Sequence, residues 1–196
     1  ANSIEKGSVV RAIPGPECGS RSVADRMNSW AQSEGAPGMG YIIYSESTAK
    51  GPVANALGIE KALSMRDLFN LKDGDALFFS CAKENDAASL AGKARVKIAT
   101  DKKLIKENIF KFCWIVDYPM FEKDENTGNI EFSHNPFSMP QGGMDALLNK
   151  DPLDILAYQY DLVCNGIELS SGAIRNHVPD IMYKAFEIAG HKPDVV

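Results

Sequence analysis

Asp161, Glu168 and Arg175 flank an Asn165-Gly166 pair in the segment Tyr160-Asp161-Leu162-Val163-Cys164-Asn165-Gly166-Ile167-Glu168-Leu169-Ser170-Ser171-Gly172-Ala173-Ile174-Arg175-Asn176. Asn-Gly between β-prone runs predicts a type I′ hairpin, because both central residues of that turn need positive φ. Cys164 would then oppose Ile167, and Val163 would oppose Glu168. Strand alternation puts Asp161 on the face of Val163, diagonal to Glu168 at roughly 7–8 Å. Carboxylates that close raise each other's pKa unless a cation neutralises them. Mg²⁺ held by one or two carboxylates plus substrate phosphates suits this inventory. Arg175 lies an odd number of residues from Glu168, so a regular strand would aim it at the opposite face. A bulge would restore it, and Ser170-Ser171-Gly172 is the expected place. The same pattern also fits an edge hairpin with solvated charges.

The elements that must carry these residues change character along the chain. Ser8 to Ile13 reads as a strand ended by Pro14-Gly15-Pro16, and Ser22 as the cap of a helix running to about Ser33, with Val23, Met27, Trp30 and Ala31 on one face. Gly40 to Tyr44 is a strand, Val53 to Leu57 and Arg66 to Asn70 are short helical pieces, and Ala76 to Cys81 is a strand. Asn85 or Asp86 would cap a helix from Ala87 to about Ala99. This order implies a compact α+β layer, not a doubly wound parallel sheet. Trp30, Phe78 and Phe79 fall on periodic apolar faces and read as core.

From about Ile105 strands dominate. Phe110 to Asp117 is a strand, and Glu122 to Gly128 is a solvated charged turn leading to Asn129–Phe132. His134 follows at the strand end, before a flexible loop containing Pro136, Pro140, Gly142 and Gly143. Met144 to Leu148 and Pro152 to Ala157 form a helical connection into the hairpin. Pro179 opens a last helix that Gly190 ends, with Ile181, Ala185 and Ile188 on its packing face. His177 and His191 read as structural or exposed. Val195-Val196 does not read as a natural terminus.

Composition narrows the function classes. The chain has 196 residues, 44% hydrophobic and 24% charged, and can bury a core. No run approaches the roughly 20 apolar residues of a membrane span, and Ala1 to Lys6 lacks a signal-like stretch, so the chain reads as cytoplasmic with no membrane partner. Cys18, Cys81, Cys113 and Cys164 form no Cys-x-x-Cys pair and read as reduced, mostly buried thiols. The net charge of −5 argues against autonomous binding to nucleic acid, and no DNA partner is expected. No Gly-x-Gly-x-x-Gly or P-loop pattern occurs.

The hairpin segment resembles the strand pair of the class II aminoacyl-tRNA synthetase core, in particular that of bacterial-type aspartyl-tRNA synthetases. Asp117-Tyr118-Pro119-Met120-Phe121-Glu122 and Ser133-His134-Asn135-Pro136-Phe137-Ser138 resemble further segments of that family, in the right order. The resemblance implies an antiparallel catalytic sheet with flanking helices. It also implies that Asp161 and Glu168 hold ATP with Mg²⁺, that Arg175 pairs with the side-chain carboxylate of L-aspartate, and that His134 lies in the loop over the aspartate. Arginine suits that task because its planar fork makes two parallel charge-assisted bonds. The family often has a second histidine where this chain has Asn135, and glycines where it has Ser170 and Ser171.

Residues 1–104 resemble the GAD insertion domain of the same family, a small two-layer α/β unit that also occurs in an amidotransferase B subunit acting on charged tRNA. The stretches carrying this resemblance are Arg21 to Ala31, Gly38-Met39-Gly40-Tyr41-Ile42 and Gly74 to Phe79. Residues 105–196 would be part of the catalytic domain. The chain is thus expected to be a fragment of an aspartate–tRNA ligase, inactive alone, whose full-length form binds ATP, aspartate and tRNA as a homodimer. The alternative is a non-catalytic tRNA- or protein-interaction module related to the amidotransferase subunit.

Overall fold

The computed structural model describes residues 2–192; Ala1 and residues 193–196, with the Val195-Val196 end, lie outside it. The chain forms two compact units, Ala1–Glu107 and Asn108–Val196.

The first unit runs α1 (Asn2–Glu5), β1 (Val9–Gly15), α2 (Arg21–Ser33), β2 (Gly40–Ser45), β3 (Thr48–Lys50), α3 (Pro52–Leu57), α4 (Ile59–Leu68), β4 (Ala76–Ala82) and α5 (Glu84–Asp101). Its sheet has the order β1-β4-β2-β3 and every pairing is antiparallel. β4 is buried from Ala76 to Ser80, and a strand apolar on both faces needs cover on both. Ala76 and Phe78 join Ile13, Ile43, Met27 and Ile98 in one core, with Trp30 packed at its edge. Leu77 and Phe79 join Ile42, Tyr44, Ala54 and Ala62 in another. Helices α2 and α5 line the first core and α3 and α4 the second, so the unit has three layers where two were expected. The short helices α3 and α4 cover the second face of β4.

Two caps also differ. Ser20, not Ser22, has extended backbone and accepts from the Val23 N–H at 3.3 Å. Helix α5 begins at Glu84, after Lys83, without a side-chain cap. β1 also continues through Pro14 to Gly15. Pro14 pairs with Leu77 on the sheet's edge strand, where proline is tolerated.

The second unit runs β5 (Phe112–Pro119), β6 (Phe121–Lys123), β7 (Ile130–Phe132), α6 (Gly143–Asn149), a turn of 3-10 helix at Pro152–Asp154, β8 (Leu156–Cys164), β9 (Ile167–Ala173) and α7 (Pro179–Ile188). β5, β8 and β9 form an antiparallel sheet in that order, and β6 pairs with β7. The helical reading of Pro152 to Ala157 gives way after one turn, because Leu156 and Ala157 pair with Pro119 and Tyr118 in the sheet. Met120, Phe121, Leu147, Ile155, Ala157 and Ala185 form the core, with Ile181 and Ile188 of α7 against it. Phe112, Trp114 and Val116 are exposed.

The loop after His134 is not free. Met139 N–H donates to Ile174 O at 2.8 Å, Tyr158 N–H to Met139 O at 2.9 Å and Gln141 N–H to Leu156 O at 2.7 Å. The segment therefore runs between the end of β9 and the start of β8, and Ser138 is fully buried. Cys18 and Cys164 are buried, whereas Cys81 and Cys113 are exposed, so only half of the thiols match the buried expectation. Burial raises the pKa of Cys18, which keeps it protonated. Among the described residues no helix is long and apolar enough to cross a membrane.

Candidate functional site

Asn165 and Gly166 take φ of 51° and 83°, as a type I′ turn requires. Cys164 pairs with Ile167, and Val163 with Glu168. The Asn165 side chain also accepts from Lys111 N–H at 2.9 Å and donates to Ile109 O at 2.8 Å. The turn is thereby held against the chain leading into β5.

Beyond Val163–Glu168 the register shifts, because Leu162 pairs with Ser170 and Asp161 with Ser171. Leu169 is the extra residue. Residues directly opposite share a face of a sheet, so Glu168 and Ser171 lie on the face of Asp161 although an odd number of residues separates them. Counting on by twos through Ala173 brings Arg175 to the same side. The bulge occurs, but at Leu169 and not at Ser170-Ser171-Gly172. Gly172 instead permits a close approach across the strands: a Cβ there would lie 2.6 Å from the Tyr160 ring.

The third strand contributes a residue to which the sequence reading gave no role. Ile115 pairs with Asp161, so plain alternation would place Asp117, not Tyr118, on the Asp161 face. The register shifts between Val116 and Tyr118, and Asp117 takes φ of 60°. Tyr118 consequently sits opposite Ala157 on the Asp161 side, and its hydroxyl donates to Asp161 Oδ2. This hydrogen bond, with burial and the charges of Asp161 and Glu168, pushes the Tyr118 phenol up to about 12. The only sequence signal was the Asp117-Tyr118-Pro119 motif itself, which does not reveal a change of face.

His134 is exposed, with its ring centroid 4.9 Å from that of Tyr118. Its Nδ1 lies 3.0 Å from Ser133 Oγ, which donates to Glu122 at 3.2 Å. Asn135 Oδ1 accepts from Phe137 N–H at 3.0 Å, and the buried Gln159 donates to Asn135 O at 3.2 Å. Asn135 thus holds the loop against β8.

Arg175 bridges Ser138 through the backbone, and its guanidinium lies 5.5 Å from the Phe137 ring centroid. Its charge makes no ion pair among the described residues. A guanidinium stacked on an aromatic face and lacking a carboxylate is available to an incoming anion.

Among the described residues no group of three or more His, Cys, Asp or Glu could hold a metal. Asp161 and Glu168 therefore do not make a protein cage. Two hard oxygen donors on one face fit Mg²⁺, which takes the rest of its shell from phosphates and water.

Comparison with known proteins identifies the family of the chain. Residues 21–195 match the family described as tRNA synthetases class II (D, K and N). The chain is 58% identical to an aspartate–tRNA(Asp/Asn) ligase of Paramagnetospirillum magneticum, over 97% of this chain and 22% of that protein. It is 55% identical to the ligase of that name from Gluconobacter oxydans and 57% identical to that of Zymomonas mobilis, in each case over 100% of this chain and 33% of the relative. The chain spans a third or less of the length of these relatives, and it belongs to the class II tRNA synthetases of the D, K and N group.

Proposed function

We propose that the chain is the insertion domain plus the central part of the catalytic domain of an aspartate–tRNA ligase. The observation that carries this reading is the Leu169 bulge, after which Arg175, bridged to Ser138, falls on the sheet face of Asp161 and Glu168. Phe112, Trp114 and Val116 form an exposed apolar face of the kind that further polypeptide covers, which supports the fragment reading.

In the full-length protein the α-carboxylate of L-aspartate attacks the α-phosphorus of ATP. A carboxyl–phosphate anhydride forms and pyrophosphate leaves; the aspartyl group then passes to the tRNA 3′ end and AMP is released. Arg175 reads the aspartate side-chain carboxylate through its planar fork, and His134 stands over the amino acid. Asp161 and Glu168 hold the phosphate end of ATP. A bound Mg²⁺ would supply neutralisation of the phosphate charge. The name of the relatives supports charging of both aspartate and asparagine tRNA. Residues 1–104 are the GAD-like insertion, the full-length enzyme is a cytoplasmic homodimer, and neither DNA nor membrane is a partner. Catalysis of this type rests on positioning and charge stabilisation, so this part of the site is inactive alone.

Aspartate-dependent ATP–pyrophosphate exchange tests the reading. The full-length protein containing this segment should exchange, the 196-residue chain should be silent, and Arg175→Lys in the full-length protein should lower kcat/KM for aspartate by about a hundredfold, since lysine lacks the bidentate fork. Exchange that is unchanged by Arg175→Lys would overturn the role of the arginine. Exchange by the isolated chain would overturn the fragment reading.

A further inference from the structure

Tyr118 joins three elements that are separate in sequence. It belongs to β5, its hydroxyl donates to Asp161 Oδ2 on β8, and its ring packs at 4.9 Å and 47° against His134, which follows β7. Its side chain contacts residues from both proposed halves of the site, the ATP-phosphate acid and the amino-acid histidine. Its face is set by the register shift at Asp117, and Asp117 is held in place by Gln141, whose Nε2 donates to Oδ1 at 2.6 Å. Without that shift the phenol would leave the Asp161 side.

We infer that Tyr118 is a positioning residue that orients the Asp161 carboxylate and seats the His134 ring, so that the ATP and amino-acid halves of the site are aligned by one side chain. A carboxylate has two oxygens. The phenol occupies Oδ2, which leaves Oδ1 to face the phosphate end of ATP. The ring supplies a separate, apolar support for His134 that does not need the hydroxyl. The two jobs can therefore be separated by substitution: Tyr118→Phe keeps the ring and frees the carboxylate, whereas Tyr118→Leu loses both. The inference rests on the function proposed above.

Two readouts test it. In the 196-residue chain, Tyr118→Phe should move the Asp161 carboxylate carbon resonance and leave the His134 ring-proton shifts in place; Tyr118→Leu should move both. In exchange assays on the full-length protein, Tyr118→Phe should raise KM for magnesium ATP about tenfold, the equivalent of one hydrogen bond to a charged group, with KM for aspartate unchanged. Tyr118→Leu should raise both. In an Asp161→Asn background, Tyr118→Phe should add almost nothing, because its partner is already altered. An active wild type whose Tyr118→Phe variant has unchanged resonances and KM values overturns the positioning role alone. An equal loss in the Asp161→Asn background also overturns it, because it shows a general effect on the fold. A full-length wild type with no aspartate-dependent exchange overturns the proposed function, and this inference with it.

Discussion

Gln141 Nε2 donates to Asp117 Oδ1 at 2.6 Å, and Asp117 holds φ of 60° inside β5. A left-handed conformation is costly for residues with a Cβ, and aspartate tolerates it better than most. Asp117→Ala loses both that tolerance and the acceptor for Gln141, and should destabilise the second unit by about 1–2 kcal/mol. Asp117→Gly restores the conformational freedom and should cost less. Urea unfolding followed by Trp114 fluorescence, in a Trp30→Phe background, will give the order.

Two glycines that look alike in sequence should differ in tolerance. A Cβ on Gly19 would stand 2.5 Å from the Gly74 backbone carbon and oxygen, because Gly19 N–H donates to Gly74 O at 2.7 Å. Main chain cannot swing aside, so Gly19→Ala should cost about 2–3 kcal/mol. The three atoms nearest a Cβ on Gly172 all belong to the Tyr160 side chain, which is 39% exposed and can rotate outward. Gly172→Ala should therefore cost about 1 kcal/mol. Equal penalties in denaturant unfolding would contradict this contrast.

Tyr44 is fully buried, and its hydroxyl has no hydrogen-bond partner among the described residues. Burial raises its pKa, with the Arg66 charge opposing. A desolvated, unpaired hydroxyl weakens the fold, so Tyr44→Phe should gain about 1 kcal/mol. A higher Tm for the variant is the expected result; a lower one would mean that the hydroxyl is satisfied in solution.

Asp124 caps the β6–β7 loop. Its Oδ1 accepts from Thr127 N–H at 2.6 Å and Asn126 N–H at 2.8 Å. The Thr127 backbone bond, then the Thr127 hydroxyl and the Asn126 backbone, lower its pKa below the ordinary carboxylate value. A depressed folded pKa contributes stability that is full above the unfolded carboxylate pKa and lost as pH falls through the folded value. The protection factors of the Asn126 and Thr127 amides, exchange rates corrected for the intrinsic pH dependence, should therefore fall as pH drops below the ordinary carboxylate value of about 4. Asp124→Ala should remove that pH dependence.

Local chemistry could be read from the residues alone. Asn165-Gly166 set the turn and its first two cross-strand pairs, because only certain residues accept positive φ at both positions. Pro179 and Gly190 bracketed α7, and Phe78 and Phe79 proved buried because helices cover both faces of their strand. The need for a bulge near Arg175 also followed from counting.

Its position did not. Which residue of a strand goes unpaired depends on the competing partners across the ladder, and Leu169 yields while Gly172 is kept for the close approach of Tyr160. The caps went astray for a related reason: Ser20 and Ser22 are chemically equal, and only the backbone direction set by the preceding chain selects Ser20. The loop of Pro136 to Gly143 reads as mobile from its prolines and glycines, yet its backbone bonds go to β8 and β9, strands later in the chain. The residue types of Asp161, Glu168, Arg175 and His134 were thus determined by the sequence itself. That Arg175 lies on the same side of the sheet as the two acids, and that Tyr118 links Asp161 to His134, was decided only in three dimensions, because the face of a strand residue depends on the register of its neighbours.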